Sequence, residues 1–562
     1  MAKHKAKSDD ELVFLPLGGA NEIGMNLNAY GYGPPENRQW IIVDIGVTFG
    51  GSDQPGVDII LPDPSYMVSE REGLLAIVLT HAHEDHIGAI AWLWPKLKVP
   101  VYATPFTAAL VREKLREKGL LQKVKITEIP LKGSLELGPF DLEFVTLTHS
   151  IPEPNGIAIR TPLGLIWHTG DWKIDPDPII GETTDDARVR ALGEDGVLAM
   201  VCDSTNVFVE GSAGSESSVR EGLETLIREC KGKVAVTAFA SNVARLDSTI
   251  RAAHACGRSV CLVGRSMHKI VGAAMSVGIL KDVPPFVTEE ESGYLPPESI
   301  LYLCTGSQGE ERAALSRIAS NAHRHVTLGR GDAVIFSSRV IPGNEKSIYA
   351  LYDQLVGREV RVITDRDAHV HVSGHPCREE LRQMYQWARP TIAVPVHGER
   401  RHILEHAAFA QSMQVPQTVT PRNGDLIRLA PGPAAVIDEV PAGRLYVDGD
   451  VMIDSDDEAM RDRKRLGSEG QLTISFAVSA KKHTIVSGPD VRVRGLSLGD
   501  DDALEAALDD LAAAAEAAYH RLSSAERKDD EAAEAAVVRA VRKAAEKVWG
   551  KRPFVDAVIL TV

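Results

Sequence analysis

The chain has 562 residues, 44% hydrophobic and 25% charged, enough for several domains and at least one large core. A formal charge of −16 excludes a generally basic, polyanion-coating protein, but much of the acid sits late, at 454–458, 500–502 and 529–534, so a local basic groove is not excluded. No apolar run could span a bilayer, the basic start MAKHKAK precedes no signal-like region, and six cysteines form no CxxC pair, so a reduced cytoplasmic protein with no membrane partner is expected.

From Leu12 to about Phe208, short β-rich runs are broken by Gly/Pro turns: QWIIVDIG, LLAIVLTH, DLEFVTLTH, LGLIWHTGD and VLAMVCDST. They end in polar groups, Asp44, His81, His149, Asp171 and Asp203. Strand ends that deliver ligands to one sheet edge build a site there. From about Ser215 to Thr364 the rhythm becomes strand–helix alternation (GKVAVTAFA, RSVCLVG, SILYLCTG, GDAVIFSS, REVRVIT), which predicts an α/β unit with a parallel sheet. HVHVSGH and RPTIAVPVHGE then return to runs ending in histidine, so the first domain is expected to be discontinuous, with the α/β unit inserted. The expected boundaries are 10–214 and 365–450 for its two parts, 215–364 for the insert, 451–468 for a charged linker, and 469–562 for a small α+β domain. In that last domain Leu504, Leu508, Leu511, Ala515, Tyr519 and Leu522 share a helix face, suited to the domain's own core or to an oligomer contact, and DAVILTV predicts a closing strand.

LTHAHEDHIG, at 79–88, places three histidines and two acids within six residues. On an extended segment residues i and i+2 point the same way, so His81 and His83 can hold one ion, while Asp85 and His86, at the turn into a helix, can reach a second. Imidazole and carboxylate without thiolate suit Zn²⁺ first, with Mn²⁺ as rival. Two ions need more ligands, and the other strand ends offer His149, Asp171 and His397, with Asp171 the natural bridge. GGANEIG is glycine-rich but lacks the GK[ST] of a nucleotide-hydrolysing P-loop.

THAHEDH with His149, Asp171 and His397 resembles the metallo-β-lactamase superfamily. Asp203 in VCDSTN, the inserted unit and His375 in HVSGH narrow the resemblance to its nucleic-acid branch, the β-CASP group. LPLGGANEIGMN, TAFASNVARL, LCTGSQGE and FSSRVIPGN are similar to the ribonuclease J family over nearly the whole chain; in HVSGHPC a small residue would be more usual after the last histidine. The resemblance implies an α/β architecture: a metallo-β-lactamase αββα sandwich, an inserted α/β β-CASP domain and a small α+β C-terminal domain. It implies a dinuclear hydrolase of RNA phosphodiesters, with His81, His83 and His149 on one ion, Asp85, His86 and His397 on the other, and Asp171 between. The cofactors would be two Zn²⁺, or Mn²⁺ or Mg²⁺ in their place. Asp203, His375 and Asp85 would form the catalytic set.

His371, Val372, Ser373, Gly374 and His375 would bind a phosphate, with Ser241 and Asn242 as the opposite wall; the latter pair equally suits a helix N-cap. Gly56, Asp58 and Asp448 resemble a structural Ca²⁺ site and read equally well as turn acids. The expected function is 5′→3′ exonuclease action on 5′-monophosphorylated RNA plus internal cleavage, in RNA maturation and mRNA decay. The expected state is a homodimer or homotetramer, with an RNA-decay complex as a further partner. The alternatives are a β-CASP nuclease for DNA or RNA 3′ ends, a small-molecule metallo-hydrolase, and a metal-stabilised scaffold.

Overall fold

A computed structural model describes residues 7–51 and 53–562; the basic start MAKHKA lies outside the described residues. They form two compact units, one holding the chain up to Thr48 with Leu61–Arg444, the other Phe49–Ile60 with Leu445–Val562.

In the first unit two large sheets face each other. One has eight strands, in the order 435–439, 425–430, 11–18, 27–33, 39–43, 74–78, 101–103 and 126–128; the other has seven, in the order 134–137, 140–146, 155–161, 164–168, 197–203, 392–396 and 417–418. The apolar runs QWIIV, LLAIV, GLIWH and IAVPV are buried at nearly every position, because both faces of each strand are covered. Edge strand SLEL instead alternates in exposure. Phe14, Tyr30 and Ile41 meet Phe144, Ile157 and Val394 in the seam, each side chain contributing about 1.5–3 kcal/mol by leaving water. Helices Asp186–Asp195 and Arg378–Ala388 cover the outer face of the second sheet through Trp167, Leu192 and Met384, and Pro105–Glu117 lies against the first. This is the expected αββα sandwich.

Strand direction decides where the site lies. Strands 39–43 and 74–78 run parallel, as do 164–168, 197–203 and 392–396. Two antiparallel steps bring 140–146 into line with 164–168. Asp44, His81, His149, Asp171 and His397 follow these strands at their C-terminal ends, and Asp203 is the last residue of its own. The chain after the insert completes both sheets, 392–396 pairing with 197–203 and 425–430 with 11–18.

The insert is a five-stranded, all-parallel sheet in the order 259–263, 300–304, 234–237, 333–336, 361–363. Its helices include Glu216–Glu229 and Val243–Ala255.

The second unit carries a three-stranded sheet in which 471–478 lies between 485–494 and 554–561. Leu472, Ile474, Phe476 and Val478 point inward at period two and pack on helices Asp501–His520 and Asp530–Trp549. Asp500 and Asp529 cap those helices with side-chain oxygens. The apolar face through Leu511, Ala515 and Tyr519 is therefore spent on this domain's own core. The charged connector is itself structured: strand Val451–Asp454 leads to helix Glu458–Glu469, capped by Asp457, whose buried residue is Met460.

Candidate metal centre

His81, His83 and His149 converge. His83 Nδ1 lies 3.2 Å from His81 Nε2 and 3.1 Å from His149 Nε2. Ligands held tetrahedrally at zinc–nitrogen bonds of about 2.0–2.1 Å stand about 3.3 Å apart, so the spacing fits one ion. The far ring nitrogens say more. Thr80 Oγ1 donates to Asp44 Oδ2 at 2.8 Å and so accepts from His81 Nδ1 at 2.9 Å. His149 Nδ1 donates to the Gly374 carbonyl. With the outer nitrogens of His81 and His149 protonated, their inner ones present lone pairs to each other's neighbourhood, an arrangement that a cation satisfies.

A second set lies alongside. His86 Nε2 is 3.2 Å from Asp171 Oδ2 and 3.6 Å from Asp85 Oδ2, and His397 Nε2 is 3.1 Å from Asp85 Oδ2. His86 Nδ1 donates to Asp44 Oδ2 at 2.7 Å. His397 Nδ1 meets Thr205 Oγ1 at 2.9 Å, and that hydroxyl donates to Asp203 Oδ1 at 2.7 Å. Asp171 Oδ2 also stands 3.8 Å from His149 Nε2, so one carboxylate oxygen faces both sets. The two sets, His81/His83/His149/Asp171 and Asp85/His86/Asp171/His397, each gather their donor atoms within 4.8 Å.

The electrostatics suit cations. Burial, helped by neighbouring imidazoles, holds His81 and His149 well below the usual histidine range, and burial brings His83 down to about 4. Burial opposes charge on His86 and His397 too, but there the carboxylates prevail, Asp171 foremost, and both rise. Burial would raise Asp85 and Asp171, yet the surrounding histidines keep both well below the carboxylate range. Proton and metal thus compete for the same inner nitrogens. The chemistry of the donor set fits a pair of divalent ions.

The backbone is shaped to this end. Asp44 and His397 adopt left-handed φ of 65° and 52°, an uncommon conformation that belongs to functional turns when the surroundings enforce it. GGANEIGMN forms the floor: His397 N donates to the Gly19 carbonyl at 2.6 Å, and Asn26 N to the Asp85 carbonyl at 2.9 Å. A Cβ on Gly46 would fall 1.7 Å from that same Asp85 carbonyl oxygen, so only glycine fits there.

Beside the two sets, His375 Nδ1 lies 2.8 Å from Asp203 Oδ2, and 3.8 Å from Asp171 Oδ2. Burial works against charge on this imidazole, but Asp203 and Asp171 raise its pKa above the usual value. Ser373 Oγ accepts from Asn206 Nδ2 at 2.8 Å and from His375 N at 3.2 Å. A Cβ on Gly374 would fall 2.9 Å from His149 Cε1, so the loop touches the metal set directly. Val372 is buried, its Cγ1 2.9 Å from where a Cβ on Gly214 would stand. His371 Nδ1 lies 3.5 Å from Arg245 Nη1, and burial followed by Arg245 keeps it neutral. Asn242 spends its amide as an N-cap, accepting from Arg245 N at 3.0 Å and donating to Glu216 at 3.1 Å; Ser241 precedes it at the same helix start.

At two of the three residues of the expected cation site, Gly56 and Asp448, an arginine side chain stands close by. Asp448 pairs with Arg463, whose Nη1 lies 3.5 Å from the Pro55 carbonyl and 3.0 Å from where a Cβ on Gly56 would stand.

Asp44, Thr80, Thr205 and Asn26 carry roles that motif spacing did not assign. Asp44 at a strand end was the one visible signal; which ring nitrogen each residue holds is set by the tertiary fold alone.

Family models match along the chain: a β-lactamase superfamily domain at 39–192, a ribonuclease J β-CASP domain at 231–355, a Zn-dependent metallo-hydrolase RNA specificity domain at 359–416 and a ribonuclease J C-terminal domain at 458–562. Ribonuclease J of Sinorhizobium meliloti is 47% identical over 100% of this chain and 99% of its own. Ribonuclease J of Corynebacterium glutamicum is 37% identical over 98% of this chain and 76% of its own, and that of Thermus thermophilus 37% over 87% and 85%. A crystal structure of a protein of unknown function from Enterococcus faecalis V583 shares the fold, with a TM-score of 0.52 at 16% identity over 74% of this chain and 100% of that one. With full-length similarity joined to a matching domain series and a buried His/Asp centre, the chain belongs to the ribonuclease J family of metal-dependent ribonucleases.

Proposed function

We propose that this ribonuclease seats the 5′-monophosphate of a single-stranded RNA, releases nucleotides stepwise in the 5′→3′ direction, and also cuts internally, serving RNA maturation and mRNA decay. The observation that carries the reading is the contact between the HVSGH loop and the metal set, Gly374 accepting from His149 while His375 leans on Asp203. A phosphate held by that loop has its next linkage close to the donors.

His81, His83 and His149 would hold one ion, Asp85, His86 and His397 the other, with Asp171 shared. Zinc suits the nitrogen-rich sets best, Mn²⁺ or Mg²⁺ being the rivals. When bound, such a pair lowers the pKa of water and offsets charge on the attacked phosphate. Asp203 orients His375 through Nδ1, which leaves Nε2 to hold a proton near neutral pH for the departing oxygen. Asp85, the most open acid of the metal sets, completes the catalytic set with them. Ser373, Gly374 and His371 supply hydroxyl, backbone and ring donors to the terminal phosphate, Val372 shapes the turn, and Ser241 lies on the facing helix start. The reading also takes the chain to assemble as a homodimer or tetramer.

A 5′-triphosphate brings more charge and bulk than this pocket accommodates, and a 5′-hydroxyl makes fewer contacts. One RNA bearing each of the three ends is digested and mononucleotide release compared; the monophosphate should be fastest. Ser373→Leu should suppress stepwise release more than internal cuts, which need no terminal phosphate. Equal rates on all three ends, or equal loss of both activities, would refute the pocket assignment.

A further inference from the structure

In the second unit, helix Glu458–Glu469 carries Arg461, Lys464, Arg465 and Ser468 at i, i+3, i+4 and i+7, a single face about 10 Å long. Together with Arg552 and Glu469 they line an open groove of about 540 Å³. Four cations line it against Glu469, and only Arg552 among them is paired with a carboxylate, Glu546, so the place is basic on a chain whose formal charge is −16.

The groove is not neutralised from within. Among the described residues no carboxylate pairs with Arg461, Lys464 or Arg465, all three exposed. Arg465 packs over the Phe554 ring at 5.4 Å, which keeps its guanidinium on this face. Arg552 is anchored by Glu546 at 3.0 Å, and Lys551 donates to the Ser468 carbonyl at 3.1 Å, closing the far wall. Arg463 points the other way: its pairing with Asp448 fixes the helix's rotation about its axis and so holds the cationic face outward. Like charges at i+3 and i+4 repel, a cost to the helix that an external anion relieves.

We propose that this groove is a second RNA site, holding the phosphodiester backbone of single-stranded RNA without reading its sequence. The inference rests on the ribonuclease reading above. It gives the protein a local means of retaining a long polyanion that its net charge repels. The donors are guanidinium and ammonium groups on one face, the chemistry that grips phosphates, and the lining offers no stacked aromatic platform for bases.

The test is steady-state kinetics of the metal-loaded full chain on a long unstructured RNA and on a tetranucleotide, both 5′-monophosphorylated, over a salt series. The triple variant Arg461→Gln, Lys464→Gln, Arg465→Gln should raise KM for the long RNA about tenfold, leave kcat and the tetranucleotide untouched, and flatten the log KM against log salt slope by about 2. The conservative variant Arg461→Lys, Arg465→Lys should behave as wild type, and matched thermal melts show that the fold is kept. An unchanged KM and salt slope on the long RNA overturn the proposal and leave the groove to an acidic protein partner. A KM raised equally on both substrates also overturns it. Should the wild type cleave neither substrate, the ribonuclease reading itself has failed.

Discussion

At the residue scale, the proposed metal-holding and proton-handling roles separate by what the second ring nitrogen of each histidine faces, since both commit Nδ1 to a carboxylate. His86 gives Nδ1 to Asp44 and turns Nε2 toward Asp171 and Asp85, whereas His375 gives Nδ1 to Asp203 and stands in a third group, with Asp171, Asp203 and His397, whose donor atoms also lie within 4.8 Å of one another. His86→Ala should therefore lose metal and activity together, while His375→Ala loses activity by about 10²–10⁴-fold with metal content unchanged. Metal analysis alongside RNA cleavage decides it; equal metal loss in both would place His375 among the ligands. The candidate metal donors were legible in the sequence because His81, His149, Asp171 and His397 follow strand-like runs whose ends parallel strands bring together, and His83, Asp85 and His86 sit in the turn and short helix just after one of them. Asp44 and Thr205 were not legible as partners, because a hydrogen bond to the far side of an imidazole leaves no spacing signature. Arg463 against Asp448 was hidden for the same reason: the pairing joins a helix to a hairpin that only folding makes neighbours.

At the element scale, a buried ion pair inside the inserted α/β unit reaches the start of the HVSGH loop through hydrogen bonds of its arginine. Arg245 on helix Val243–Ala255 meets Glu216 on helix Glu216–Glu229 at 2.9 Å, both side chains 1% exposed, and also donates to the Ser337 and Val370 carbonyls at 2.8 and 3.2 Å. Val370 directly precedes His371, so the pair fixes the start of HVSGH. Glu216→Gln would strand a buried guanidinium and should lower stability by about 3–5 kcal/mol. Burial alone would raise the Glu216 pKa, but Arg245 holds it below the ordinary 4.5. The unfolded chain therefore takes the proton first: the pair's contribution is complete above pH 4.5 and fades as pH falls through the lower folded value. Urea midpoints of wild type and Glu216→Gln should differ most at neutral pH and converge in acid; a gap that widens in acid would contradict this sign. Strand–helix alternation announced the insert in the sequence, but this tie was not legible, since a pairing between residues 29 positions apart on two helices leaves no spacing signature.

At the scale of the whole molecule, the face of the C-terminal helices does not carry assembly, because it is buried in that domain's own core. What remains open is the other side of the sheet. Among the described residues, strand Phe554–Thr561 pairs only with 471–478, so one of its edges is unpaired, and Val558 and Leu560 project at i and i+2 with 42% and 56% of their surface exposed. An outer strand with an apolar face is a template for association unless something covers it. A chain cut at Asp450 would be a poor test, since Phe49–Ile60 and the Asp448–Arg463 pair belong to the same unit as the removed segment. Val558→Lys with Leu560→Lys in the full chain keeps the inward Val555 and Ile559 and changes only the outer face. By light scattering the wild type should be a dimer or tetramer and the double variant a smaller species, with unaltered metal content and unaltered cleavage of a tetranucleotide. A monomeric wild type would end the assembly reading; an oligomer indifferent to the two lysines would move the interface elsewhere.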